Sequence, residues 1–288
     1  MPRKVIIDTD IGDDIDDALA LALALSSSEL EILGVTTVYG RVDIRAKLAA
    51  KLLKAYKKQH IPVARGFSKP IINPEPSHLP YYGDVVSDNE NFPNIVDRHA
   101  IDLIEEIVES EKEVTLITIG AMTNAAIFLL KNPHLKSRIK IISMAGYVYY
   151  PKAEYNIACD PEAAHIVLSS GVDVTLVPLD VTLKCRMTAD IFNRFFTSKK
   201  EEVSVVASYI KPWRRYCNAY PLLHDPLAIT VSFNEEVVKL RKENVSVELR
   251  GEKSRALTIP GQGEKNVRVA YEVDVEKFLR IFEEKMLG

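Results

Sequence analysis

Short runs of Val, Ile and Leu alternate along most of the chain with longer apolar or amphipathic segments. The short runs predict buried strands and the longer segments predict helices. The predicted strands are Val5–Ile7, Ile32–Val38, Ile61–Ala64, Val114–Ile119, Ile139–Met144 and Val172–Val177. The predicted helices are Asp16–Leu25, Ala46–Tyr56, Val96–Ser110, Thr123–Leu130 and one that opens at Asp160-Pro161. Continuous apolar strands separated by helices are typical of a parallel sheet covered on both faces.

The C-terminal part of the chain has a different pattern. Three short apolar segments, Val245–Leu249, Leu257–Ile259 and Val267–Val273, precede a predicted helix, Val275–Met286. They indicate a small antiparallel addition to the sheet. Because no linker or repeat interrupts the pattern, we predict one domain over residues 1–288. The predicted fold is α/β, with a Rossmann-like open sheet that is mostly parallel and has helices on both faces.

Composition and charge narrow the function classes. The 288 residues include 37 basic and 40 acidic side chains, a formal charge of −3, which argues against non-specific nucleic-acid binding because that needs a basic face. No run approaches the roughly 18 uninterrupted apolar residues of a membrane span. The three cysteines form no CxxC pair, and Met1–Lys4 leads directly into an apolar run without a signal-peptide pattern. We therefore expect a cytoplasmic protein that binds neither membrane nor nucleic acid.

One local feature departs from this ordinary composition. Six acids fall within ten residues: Asp8, Asp10, Asp13, Asp14, Asp16 and Asp17. Carboxylates this close repel one another, so either some are protonated or solvated, or a hard cation compensates them. Carboxylate and carbonyl oxygens are the ligands of Ca²⁺ or Mg²⁺ rather than of zinc. The structural alternative is that Asp13 and Asp14 are solvated turn residues and that Asp16 caps a helix.

The predicted topology says where such a site would lie. Ligands of open α/β sheets bind beyond the carboxyl ends of the strands. Four segments follow predicted strands in this way, at residues 8–17, 39–41, 119–124 and 146–156. We expect these segments to converge on one crevice. The proline-rich segment Pro70–Pro93 has no periodicity and is predicted to be a functional or lid-like loop.

Several motif segments occur in a fixed order along the chain. They are Asp8–Gly12 with Asp16–Ala18, Thr36–Gly40, Ile119–Asn124, Glu154–Asn156 with Asp160–Ala164, and His224–Pro226. This ordered set resembles the motifs of the inosine–uridine-preferring nucleoside hydrolase family and covers essentially the whole chain. The resemblance implies hydrolysis of the N-glycosidic bond of a ribonucleoside, giving ribose and free base, with a tightly bound Ca²⁺. It also implies a homodimer or homotetramer.

The resemblance assigns roles to individual residues. The implied Ca²⁺ ligands are Asp10, Asp17, Ile119 (through its backbone carbonyl) and Asp225. The implied ribose-binding side chains are Asp16, Glu154 and Asn156. Asp10 would also act as general base on a calcium-bound water, and His224 would protonate the departing base or hydrogen-bond to it.

Three departures from the family pattern affect these assignments. Two extra residues precede Asp16, so Asp13 or Asp14 could replace an assigned ligand. Arg41 stands where the family typically carries a ribose-contacting Asn, and we hypothesise that it either pairs with an acid or binds an anionic substituent of the substrate. Gly146–Pro151 replaces a Gly-rich segment, and its three tyrosines would either stack on a base or pack in the protein.

Base recognition is expected to involve two further segments, Tyr81–Gly83 and the predicted helical segment Trp213–Tyr220. Two alternative functions stay open. One is a non-catalytic, calcium-dependent nucleoside-binding protein, which release of reducing sugar from ribosides would exclude. The other is a haloacid-dehalogenase-type phosphohydrolase, although that pattern requires Thr at the position of Gly12 and has no use for His224.

Overall fold

The computed structural model describes residues 1–87 and 89–288 and has a ten-stranded sheet at its centre. The strands are β1 (Arg3–Thr9), β2 (Leu30–Thr37), β3 (Val63–Arg65), β4 (Ile95–His99), β5 (Val114–Thr118), β6 (Ile139–Ser143), β7 (Asp173–Leu176), β8 (Val238–Val247), β9 (Thr258–Gly261) and β10 (Val267–Val273). Their order is β4-β3-β2-β1-β5-β6-β7-β10-β8-β9. Pairing is parallel from β4 to β10 and antiparallel where β8 joins β10 and β9. The predicted fold class is confirmed.

Helices cover both faces of this sheet. They are α1 (Asp16–Leu25), α2 (Val42–Ala55), α3 (Ala100–Ser110), α4 (Thr123–Lys131), α5 (Tyr155–Cys159), α6 (Pro161–Leu168), α7 (Leu179–Thr182), α8 (Ala189–Thr197), α9 (Glu201–Trp213), α10 (His224–Phe233) and α11 (Val275–Leu287). Side chains alternate along β1, so Val5 and Ile7 join one core while Ile6 joins the core on the opposite face. Among the described residues, no helix is both long and apolar enough to cross a membrane.

Three sequence predictions were wrong in detail. Residues 95–99 form the edge strand β4, and α3 begins only at Ala100, where His99 Nδ1 accepts from Ile101 N at 3.2 Å. A five-residue edge strand with exposed polar positions looks like the first turn of an amphipathic helix, which explains the error. Strand β8 begins at Val238, seven residues before the predicted segment. Helix α9 ends at Trp213, so the segment up to Tyr220 is not helical as predicted.

The proline-rich loop lies over the aspartate segment. Apart from a 3₁₀ turn at Gly83–Val85 and short turns, its described residues are irregular, and Asp88 lies outside the described residues. Gly12 has φ +137°, and a Cβ there would meet Pro80 Cβ at 2.6 Å. The Tyr82 hydroxyl accepts from Gly12 N at 3.0 Å and donates to Asp14 O at 2.9 Å. The loop therefore helps to shape the end of β1.

Candidate active site

Two helices bring three of the predicted carboxylates together. Asp16 and Asp17 lie in the first turn of α1, and Asp225 lies in the first turn of α10, which packs against α1. All three side chains are buried, and one carboxylate oxygen from each lies within 4.8 Å of the others. Partial positive charge at the helix N-termini favours carboxylates here. The chain positions 16, 17 and 225 thus form one buried acidic group.

This group lies on a cavity of about 500 Å³ at the carboxyl ends of the parallel strands. Its lining acids are Asp10, Asp13, Asp14, Asp16, Asp17, Glu154 and Asp225. The other lining residues are His78, Tyr81, Ile119, Met144, Tyr155, Asn156, Leu179 and His224. The volume is within the usual range for a small-molecule site. The aspartate, 119 and 154–156 segments converge there as expected, but the described lining includes no residue of the 39–41 segment, which was also expected there.

The carboxylates of this cavity are buried and close together, which disfavours their ionised form. Burial raises the pKa of Asp10 to about 7, with Arg45 opposing the shift and the carboxylates of Asp13 and Glu154 contributing to it. Burial also raises the pKa values of Asp16, Asp17 and Asp225 well above their usual range, reinforced by repulsion within the group. A bound cation relieves such crowding, and a donor set made only of oxygen atoms suits Ca²⁺ or Mg²⁺. The residues present therefore fit a hard divalent cation.

Close packing holds the end of β1 in place. A Cβ at Gly120 would meet Asp10 Oδ1 at 2.7 Å, so only glycine permits this approach. Asp8 Oδ1 accepts from Thr36 Oγ1 at 2.6 Å and from Asn124 Nδ2 at 2.8 Å. Asp8 is fully buried and is absent from the cavity lining defined by the described residues. Its contacts are those of a supporting residue.

The segment after β6 positions the predicted ribose-binding residues. Glu154 Oε1 accepts from Asn156 N at 2.8 Å, while Oε2 accepts from Gly146 N at 3.0 Å and Ile157 N at 3.1 Å. Asn156 Nδ2 donates to the Ile119 carbonyl at 3.3 Å. Burial raises the pKa of Glu154, while these N–H donors oppose the shift. Glu154 is thus held in one orientation at the cavity wall.

His224 faces the same cavity from α10. Its Nδ1 lies 2.7 Å from Thr182 Oγ1. Burial, together with the smaller effect of the nearby Arg186 charge, lowers the pKa of His224 to about 4. The ring is therefore neutral at pH 7, with one N–H donor and one acceptor nitrogen.

Arg41 lies away from this site. It makes two hydrogen bonds to the exposed Asp43, from Nε to Oδ1 at 3.0 Å and from Nη2 to Oδ2 at 2.7 Å. The cavity lining, as far as the described residues define it, does not include Arg41. The structure therefore favours pairing with an acid, the first of the two hypotheses for this residue.

Arg45, which the sequence analysis missed, supports the inserted residues. Its side chain is 1% exposed, and Nη2 donates to Asp13 Oδ2 at 2.8 Å while Nε donates to the Tyr39 carbonyl at 2.7 Å. Asp13 Oδ2 also lies 3.1 Å from His78 Nε2, so Asp13 is not a solvated turn residue. The signal available in the sequence was that Arg45 is a charged residue on the apolar face of α2, three residues before Leu48.

The aromatic predictions divide between the cavity and the surrounding protein. Tyr81 lines the cavity and stacks on Tyr216, with ring centroids 4.5 Å apart and an interplanar angle of 18°. Trp213 is buried. Tyr147 instead packs on Tyr150, and the Tyr149 hydroxyl accepts from Arg241 Nε at 2.9 Å. Packing is therefore the better interpretation of the tyrosines in the 146–151 segment.

Comparison with known proteins agrees with this site. The family model described as inosine-uridine preferring nucleoside hydrolase matches residues 5–280. Enzymes with that name from Crithidia fasciculata and Leishmania major are 32% and 30% identical to the chain, and each alignment covers 96% of the chain and 95% of the relative. The structure of a purine-preferring ribonucleoside hydrolase from Gardnerella vaginalis is also similar, with a TM-score of 0.83 and 30% identity over 99% of this chain and 98% of that one.

A plant nucleoside hydrolase superposes with a TM-score of 0.87 at 26% identity, over the full length of both chains. The match to the family model and the two 30–32% relatives span nearly all of the chain, including every motif segment. These similarities exclude the phosphohydrolase alternative. The chain belongs to the inosine-uridine preferring nucleoside hydrolase family and is an N-glycosyl hydrolase of ribonucleosides.

Proposed function

We propose that this chain hydrolyses the N-glycosidic bond of unphosphorylated ribonucleosides in a calcium-dependent reaction, giving ribose and free base. One observation carries the proposal. A single cavity holds the buried acidic group of Asp16, Asp17 and Asp225, the nearby Asp10, and the neutral His224 on its wall. This combination supplies negative charge, a proton acceptor and a hydrogen-bonding group around one small ligand.

The proposed cation ligands are the carboxylates of Asp10, Asp17 and Asp225 and the carbonyl of Ile119. Asp16 belongs to the same acidic group, so its carboxylate is close enough to serve both the cation and the ribose. When bound, Ca²⁺ would compensate the crowded carboxylates and lower the pKa of water in the site. Its large and flexible coordination shell tolerates a mixed set of carboxylate, carbonyl and hydroxyl oxygens better than that of Mg²⁺.

The ribose would be held by Asp16, Glu154 and Asn156. Glu154 enters the cavity already oriented by three backbone N–H groups, so little side-chain entropy is lost when a hydroxyl binds. Cleavage of a glycosidic bond develops positive charge on the sugar ring in an oxocarbenium-like transition state. Carboxylates fixed in the cavity wall stabilise that charge more than they stabilise the neutral substrate.

The proton balance assigns one task to each remaining group. A water oxygen bonds to C1′ of the ribose, and one of its protons passes to Asp10. The electron pair of the C1′–N bond leaves with the base. His224 donates a hydrogen bond to the departing base, which takes up one proton from solvent, while Asp10 returns its proton to solvent. The sum is one nucleoside and one water converted to ribose and base.

The direct test is release of reducing sugar from inosine, uridine and cytidine in the presence of Ca²⁺. Turnover of at least one riboside is expected. Binding of all three without turnover would instead favour the non-catalytic nucleoside-binding alternative. The bases produced, separated by chromatography, would also establish whether purines or pyrimidines are preferred.

A 5′-phosphate is expected to make a nucleoside a poorer substrate. The cavity is lined by seven acids, and histidines are the only basic residues among its described lining. Repulsion between the phosphate and these carboxylates should lower kcat/KM by about 10²-fold, and added salt should weaken this effect. The measurement compares uridine with uridine 5′-monophosphate at low and high ionic strength.

Arg41→Ala serves as the control for that comparison. Because Arg41 pairs with Asp43 outside the cavity, the substitution should leave the ratio of the two kcat/KM values unchanged. A selective loss of activity on the phosphorylated substrate would instead show that Arg41 binds the phosphate.

Three further expectations stay predictions from the sequence. They are cytoplasmic location, assembly as a homodimer or homotetramer, and a single domain over residues 1–288.

A further inference from the structure

A short helix that belongs to none of the motif segments contacts the proposed leaving-group residue. Helix α7 ends at Thr182, a fully buried residue whose Oγ1 lies 2.7 Å from His224 Nδ1. The helix is itself held firmly, because Asp180 accepts hydrogen bonds from Val148 N at 2.8 Å and Tyr149 N at 3.0 Å. Thr182 therefore meets the imidazole from a fixed position.

The same helix is joined to the ribose side of the cavity. Leu179 N donates to the Gly146 carbonyl at 2.8 Å, and Gly146 N donates to Glu154 Oε2 at 3.0 Å. Leu179 also lines the cavity. Helix α7 therefore sets the distance between the residue proposed to hold the ribose and the residue proposed to contact the base.

The environment of Thr182 indicates the direction of its hydrogen bond to His224. Within the described residues, His224 Nδ1 is the one hydrogen-bond partner of Thr182 Oγ1. If Nδ1–H donated to this oxygen, the hydroxyl proton would be buried without an acceptor, which is costly. If Thr182 donates instead, both groups are satisfied and the imidazole proton resides on Nε2. Among described residues Nε2 has no hydrogen-bond partner, so its N–H is available to a ligand in the cavity.

We propose that Thr182 is a positioning residue that holds His224 with Nε2–H directed to the departing base. The inference rests on the proposed function, because it assigns a role within the same reaction. A threonine hydroxyl fixes the tautomer and the ring angle together, so the N–H is in place before the C1′–N bond breaks. Without it, the ring can rotate or present an acceptor nitrogen to a base that needs a donor.

Leaving-group dependence is the consequence that a merely structural residue would not have. The departing base of inosine or uridine gains negative charge as the C1′–N bond breaks, and a donated hydrogen bond stabilises that charge. In 4-nitrophenyl β-D-ribofuranoside the leaving phenolate is stable without a donor. Loss of the positioned N–H should therefore slow the nucleosides and spare the nitrophenyl riboside.

Thr182→Val removes the hydroxyl and keeps the shape of the side chain. It should lower kcat on inosine and uridine by about 10- to 100-fold, with KM changed by less than about threefold. Turnover of 4-nitrophenyl β-D-ribofuranoside should stay near the wild-type rate, which also shows that the variant is folded and loaded with Ca²⁺. Thr182→Ser, which retains the hydroxyl, should recover most of the loss. If the valine variant does not fold, Thr182→Ala provides the same comparison.

Thr230→Val is a matched control, because Thr230 is also fully buried but donates within α10 to the Pro226 carbonyl at 2.9 Å. It should change both substrate classes equally or not at all. In a His224→Ala background, Thr182→Val should have no further effect on nucleosides, since Thr182 acts through that ring. Equal losses on both substrate classes, or additive losses in the double variant, would overturn the inference.

A spectroscopic readout does not depend on activity. In ¹⁵N-histidine-labelled protein at pH 7, the His224 signals should show a protonated Nε2 and an unprotonated Nδ1. Thr182→Val should remove this preference, whereas a protonated Nδ1 in the wild type would contradict the inference. If the wild type releases sugar from no riboside, the proposed function fails first and the role in catalysis falls with it. Wild-type turnover with an unaffected Thr182→Val variant overturns the role of Thr182 alone.

Discussion

Asp10→Asn is expected to lower kcat on inosine and uridine by about 10³- to 10⁴-fold, the upper part of the range for loss of a general base. Asparagine has the shape of aspartate but cannot accept a proton from water. Because residue 120 is glycine, there is room beside it for the side chain at position 10. The amide of asparagine should therefore occupy the same place as the carboxylate of Asp10. Nucleoside binding should therefore persist. The measurement is kcat and KM by release of reducing sugar, together with the Kd for ribose.

Asp43→Asn is the control for the loss of one carboxylate, because Asp43 is exposed and pairs with Arg41 away from the cavity. It should leave kcat within about twofold of wild type, as is usual for surface positions. If Asp10→Asn kept more than a tenth of wild-type kcat, another group would have to accept the proton. Asp13, which lines the same cavity and is held by Arg45, would then be the first candidate.

Removal of the cation is expected to have the second large effect. Chelation should abolish riboside hydrolysis and lower Tm by roughly 5–10 °C, because the binding free energy of a saturating ligand is lost from the folded state. The physical cause is the buried acidic group, whose carboxylates would repel one another without compensation. Readdition of Ca²⁺ should restore both properties, and Mg²⁺ at equal concentration should restore less.

Asp17→Asn separates this effect from general destabilisation. Asp17 is a proposed ligand whose Oδ1 accepts from Thr9 Oγ1 at 2.5 Å, a contact in which an amide oxygen can replace the carboxylate oxygen. The variant should fold, but its Tm should no longer respond to Ca²⁺. Full activity after exhaustive chelation, or a chelation-insensitive Tm for the wild type, would rule out the proposed cation.

The fold was largely predictable from the chain because its signals are local. Runs such as those of β1, β5 and β6 are apolar on both faces, which is the requirement of a parallel strand between two helical layers. The errors fell where local pattern and tertiary role diverge. Strand β4 lies at the sheet edge and needs no apolar pattern, and β8 has one mostly exposed face along its first half.

The proposed site could be outlined from motifs but not assembled from them. Residues 10, 16–17, 119, 154–156 and 224–225 lie far apart in the chain, yet all line one cavity because their segments follow parallel strands or begin helices at the same edge. Arg45 and Thr182 were missed for a physical reason. Each acts through a hydrogen bond to a residue that is distant in the sequence. A single arginine or threonine in a helix is also compatible with many purely structural roles.

The amino-acid sequence by itself determined the parallel α/β architecture, the family motifs and the acid-rich segment after the first strand. These follow from periodicity, composition and short-range order, which are properties of neighbouring residues. Only the tertiary structure decided how the acids divide: Asp16 and Asp17 join Asp225 in one buried group, Asp8 supports the strand end, and Asp13 pairs with Arg45. It also placed Arg41 outside the cavity. The reason is that burial, pairing and charge compensation depend on residues brought close in space, which no local pattern records.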